Sequence, residues 1–136
     1  SRVIVLDETA NWKGAGTALQ LAEAGHVVVM VTAAAMVMAE MARTAADLQA
    51  RARLRELGAV LLTEHVMLEW HGNAATVQAN GGVAYRIDAD TLVIAGTNVS
   101  ERWLADETDH DTIGDATAAR TAAMAIYDGR KWGMNV

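Results

Sequence analysis

The chain has 136 residues, 17 acidic against 11 basic side chains, a net charge of -6, and no proline, phenylalanine or cysteine. The missing cysteines exclude disulfides, thiolate metal sites and cysteine nucleophiles together, and the acidic balance excludes a nucleic-acid backbone as partner, since that needs a basic face. At 52% hydrophobic and 21% charged, with 28 alanines, the composition is that of one ordered domain.

The first residues lack the basic-then-apolar pattern of a signal peptide. The longest apolar run starts at Val27 and is broken by Thr32 and Glu40, short of the ~18 to 20 residues of a membrane span. A cytoplasmic chain with no membrane partner is expected.

Val3, Ile4, Val5 and Leu6, ending at Asp7, read as a strand buried on both faces. Residues 8–16 are a polar loop with two glycines. A helical pattern then runs through Ala18, Leu19, Leu21 and Ala22 to a stop at Gly25. Residues 27–31 form a second strand, completing a β-α-β unit with a parallel, right-handed crossover. Residues 36–57 predict the longest helix, closed by Gly58, with its methionines as core filler and its arginines interleaved with acids on a solvated face. Residues 59–63 predict a third parallel strand.

Three short alternating runs follow at 66–70, 75–78 and 83–87. Gly72-Asn73 and Asn80-Gly81-Gly82 separate them as hairpin turns, so the expectation is an antiparallel meander. Residues 91–95 predict a returning strand, and 99–106 a short helix capped by Ser100. Thr112 and Ile113 read as a clipped strand, and a closing helix is expected from Thr117 to about Lys131. One domain spanning 1–136 is the simplest organisation: a β-α-β core over 1–64, the meander over 65–89, and a returning strand and C-terminal helix over 90–136.

Two places could carry chemistry. In the first loop, Gly14 and Gly16 supply a G-x-G that would let a backbone approach a pyrophosphate at a helix N-terminus. The third glycine position of G-x-G-x-x-G is Leu19, and the second strand ends at Thr32 with no acid for a ribose hydroxyl. Close helix-strand packing explains the same glycines equally well. The second place is Gly114-Asp115, either a carboxylate aimed at a sugar hydroxyl or a plain helix cap. Asp109, His110 and Asp111 are adjacent and do not converge on one ion, so no metal is expected. Arg43 and Arg51 are candidate partners for a ribose 2′-phosphate.

In order, Val3 to Glu8, Trp12-Lys13-Gly14-Ala15-Gly16-Thr17-Ala18, Leu21 to Thr32, Asp90 to Asn98, Thr112 to Ala116, Ala119 to Ala122 and Ala125 to Arg130 resemble one family. They are similar to the nucleotide-binding domain and C-terminal segment of the trimethylamine dehydrogenase, histamine dehydrogenase and 2,4-dienoyl-CoA reductase group of flavin oxidoreductases. The resemblance implies an α/β fold: a Rossmann-like, three-layer nucleotide-binding domain, its parallel sheet joined by the three-strand meander. It implies an adenine-nucleotide ligand, ADP or NAD(P), with Gly14, Gly16 and Thr17 at the phosphates. FAD would be held only with a partner domain, on a surface that includes Gly114 and Asp115.

Such enzymes carry their flavin and iron-sulfur cluster on a catalytic barrel, which this chain does not include. The implied function is an adenine-nucleotide binding domain of a flavin-dependent oxidoreductase, inactive alone and meeting a flavin/iron-sulfur catalytic domain or subunit. Two readings stay beside it: an NAD(P)H-accepting reductase module, and an interaction scaffold with no small ligand.

Overall fold

The computed structural model describes residues 1–135, which form two compact units, Ser1–Gly96 and the residues from Thr97 onward. In the first unit β1 (Arg2–Asp7), α1 (Trp12–Glu23), β2 (Val27–Val31), α2 (Ala46–Glu56) and β3 (Val60–Leu62) follow in order. The meander is β4 (His65–Trp70), β5 (Ala74–Ala79) and β6 (Ala84–Asp88), and β7 (Thr91–Ala95) returns beside β1. Four strands make a parallel sheet in the order β3-β2-β1-β7, with Leu6 opposite Val31 and Asp7 opposite Ala95. The other three make an antiparallel sheet in the order β4-β5-β6.

Strand alternation divides the core in two. Val3, Val5, Val28 and Met30 face the helices and meet Ala15, Ala18, Ala22, Ala50 and Leu54. Ile4, Val29 and Val31 face the other way and meet Ala75, Val77 and Ala89 around the meander. The unit therefore has three layers, helices, parallel sheet and meander, as the α/β expectation requires. The alanine content has a use here: spaced three and four apart along α1, alanines let the helix axis lie close on the sheet.

Both helix stops read from the sequence are Schellman caps. Gly25 (φ +86°) follows α1, with its N–H donating to Ala22 O and that of His26 to Leu21 O. Gly58 (φ +78°) closes α2 in the same way through Arg55 O and Leu54 O.

The single helix expected over 36–57 is corrected. A 3-10 turn spans Ala39–Thr44 and α2 begins only at Ala46, with left-handed breaks at Met38 (φ +60°) and Ala45 (φ +55°). Val37 and Met38 are buried in the helix-side core, and inserting them takes the backbone off a helical path.

The second unit holds α3 (Trp103–Glu107), a 3-10 turn at Gly114–Ala116 and α4 (Ala122–Gly133). Thr112 and Ile113 are not a strand, and α4 starts five residues later than expected, capped by Thr121, whose hydroxyl accepts from the Met124 N–H. Ser100 does not cap α3; its Oγ accepts the Ala119 N–H at 3.0 Å. Among the described residues of this unit only Gly114 is buried.

Candidate functional site at the carboxyl edge of the parallel sheet

Chain connections leave β1 for β2 on one side and reach β7 on the other, so the strand order reverses between β1 and β7. Ligands of open α/β sheets bind at such a switch point, outside the carboxyl ends of the strands. Here that edge holds Asp7, the loop to α1, and Gly96 after β7. Glu8 N–H donates to Ala95 O at 3.2 Å, and Lys13 Nζ donates to Gly96 O at 2.7 Å, closing the gap between β1 and β7.

Asp7 organises the loop. It is 1% exposed, and its Oδ1 accepts from Thr9 N–H (3.2 Å), Thr9 Oγ1 (3.3 Å) and Ala10 N–H (3.0 Å). Its Oδ2 is buried, with no hydrogen-bond partner among the described residues. Asn11 then caps α1, accepting the Lys13 N–H at 2.8 Å. First-turn amides and the helix dipole point out of this end.

The glycines expected to cradle phosphate lie inside α1. Gly14 is in its first turn, and a Cβ there would sit 2.4 Å from Asp7 Cγ and 2.6 Å from Oδ1. Its missing side chain is thus required by Asp7, which is the close helix-strand packing weighed from the sequence. Packing of this kind belongs to the third glycine of G-x-G-x-x-G. In that register the first two glycine positions fall on Thr9 and Asn11.

Gly16 lies in the second turn, with only Trp12 Cε3 at 4.0 Å from where a Cβ would stand. The Thr17 hydroxyl donates back to Lys13 O at 2.7 Å. At these positions backbone N–H groups are already bonded within the helix. Gly114 and Asp115 belong to the second unit. Gly114 (φ +63°) packs against Ala125, and Asp115 Oδ1 accepts the Arg120 N–H at 3.3 Å in the turn leading to α4.

Other polar groups prove structural. Arg51 does not stand ready for a 2′-phosphate: it pairs with the buried Asp47 at 2.8 Å. His65 Nδ1 lies 2.6 Å from Thr63 O, and its Nε2 lies 3.0 Å from the Tyr85 hydroxyl.

Sequence reasoning missed one feature. A cavity of about 460 Å³ opens beyond the ends of β2 and β3, lined by Ala33, Ala35, Glu64, Gln78 and Asn80 among others. The only sequence signal was the Asn80-Gly81-Gly82 turn, which gave a hairpin and no hint of a pocket.

No protein-family model matches the sequence, and neither does any curated protein. Solved structures do match. Histamine dehydrogenase from Rhizobium sp. 4-9 aligns with 99% of this chain at TM-score 0.88 and 23% identity. 6-Hydroxypseudooxynicotine amine oxidase from Pseudomonas geniculata N1 aligns with 98% at TM-score 0.88 and 28% identity. The resemblance to the histamine dehydrogenase group holds. This chain spans only 23% and 22% of those two chains, so it corresponds to one part of much longer oxidoreductases. A more distant match in fold is NDH2 from Plasmodium falciparum in complex with NADH, over 72% of this chain at TM-score 0.62 and 10% identity. Among the described residues no helix is long and apolar enough to cross a membrane.

Proposed function

We propose that this domain binds an adenine nucleotide, ADP or NAD(P), on behalf of a flavin-dependent oxidoreductase whose catalytic part lies on another domain or subunit. The observation that carries the reading is the near-complete alignment with two long oxidoreductases, joined to a switch point with a helix N-terminus beside it. The diphosphate lies over the first turn of α1, near Gly14, with Gly16 and Thr17 one turn further in. Lys13 supplies positive charge there. Asp7 and Glu8 oppose an anion at the same edge, which favours modest affinity.

Gly114 and Asp115 belong, on this reading, to a surface that meets FAD only when the catalytic part is present. The fold match to an NADH-bound enzyme favours the reductase-module reading as the second choice. Electron transfer then needs a flavin that this chain does not hold alone.

Calorimetric titration of the Gly16→Val variant with ADP tests the phosphate position. The structure leaves room for the side chain, so folding is retained, and loss of at least tenfold in affinity is expected from blocking the approach. Unchanged affinity would move the contact to residues 9–11, where the fingerprint falls when Gly14 is its third glycine.

A further inference from the structure

The cavity at the ends of β2 and β3 lies on the same carboxyl edge as the N-terminus of α1. Neighbouring strands are about 4.8 Å apart, so the end of β3 is roughly 10 Å from the end of β1, a span comparable with an ADP moiety. Two lining residues, Ala33 and Ala35, follow β2; Glu64 follows β3; Gln78 and Asn80 come from the end of β5. Among the described residues Glu64 is the one charged side chain on its wall.

Glu64 also adopts φ +55°, a left-handed conformation that favours glycine. Three backbone hydrogen bonds hold the segment: Glu64 N–H to Ala34 O at 3.0 Å, His65 N–H to Thr32 O at 3.0 Å, and Asn80 N–H to Glu64 O at 2.8 Å. These bonds fix the backbone from which the Glu64 side chain reaches the cavity wall. Thr32, where an acid was sought from the sequence, is 2% exposed and bonds the Ala34 N–H through its hydroxyl.

We infer that Glu64 supplies the acid that β2 lacks: its carboxylate accepts the 2′- and 3′-hydroxyls of the adenosine ribose in this cavity and turns away a 2′-phosphate. The inference rests on the nucleotide-binding reading above. A ribose diol donates two hydrogen bonds to a carboxylate, whereas a 2′-phosphate brings a like charge and no donor. Among the described residues no lysine or arginine lines the cavity to offset that repulsion.

The test is calorimetric titration of the full chain and its Glu64→Gln and Glu64→Lys variants with ADP, NADH and NADPH. Wild type is expected to bind NADH at least tenfold tighter than NADPH. Glu64→Gln should narrow that ratio below about threefold, and Glu64→Lys should invert it. A ratio that Glu64→Gln and Glu64→Lys leave unchanged, with ADP still bound, overturns the role of Glu64 alone. Equal binding of NADH and NADPH by wild type does the same. Silence of all three ligands on all three proteins overturns the nucleotide reading and this inference together. Because glycine suits φ +55° better, Glu64→Gly serves as a folding control: it should hold or raise the thermal midpoint while losing the preference.

Discussion

At Gly14 and Asp7 a single contact decides what a glycine is for. Adding a methyl in a helix normally gains up to about 1 kcal/mol relative to glycine. Here it would meet the Asp7 carboxylate at less than 3 Å, and overpacking of this kind costs about 1–3 kcal/mol. Gly14→Ala is therefore expected to destabilise the domain. In an Asp7→Gly background the same change should turn neutral or stabilising, because the Cγ, Oδ1 and Cβ atoms it would meet are gone and the helix gain remains. Urea denaturation of the four proteins measures the coupling; equal costs in both backgrounds would deny the contact. The residue types at this end were legible in the sequence, but their register was not. Two glycines two residues apart read as a cradle, whereas only the buried position of Asp7 shows that Gly14 is a packing glycine.

Elements were legible wherever local pattern and tertiary packing agreed. The strands at 3–6, 27–31 and 91–95, the meander, and the stops at Gly25 and Gly58 follow from periodicity and from glycine at positive φ. Residues 36–57 did not, because Met38 and Ala45 take left-handed conformations with no glycine to announce them. Burial of Val37 and Met38 overrode helix propensity there. In the second unit local bonds from Ser100, Asp115 and Thr121 redraw the helix boundaries, and such side-chain to backbone bonds leave no periodic trace.

The layered packing makes its own prediction. Ile4 is fully buried between the parallel sheet and the meander, while Ile94 on the edge strand β7 is 63% exposed. Ile4→Ala should cost about 2–5 kcal/mol, and Ile94→Ala should stay within about 0.5 kcal/mol. Similar losses at the two sites would mean that the meander does not cover the sheet face as described.

For the whole molecule, the two units differ in kind. The first has a two-sided core. The second exposes Trp103, Ile126, Tyr127, Trp132 and Met134 and buries little of its own apolar surface. This chain spans less than a quarter of the enzymes it aligns with. Nothing in the composition could separate these halves, since alanine dominates both. On the proposed function, this chain contributes recognition, with a helix N-terminus for phosphates and an acid-bearing cavity for the sugar.

That contribution is measured most directly by calorimetric titration of the wild-type chain with ADP. Saturable binding at one site, competed by NADH, is expected. Absence of heat and of any ligand-induced rise in thermal midpoint, at ADP concentrations up to the millimolar range, would contradict it.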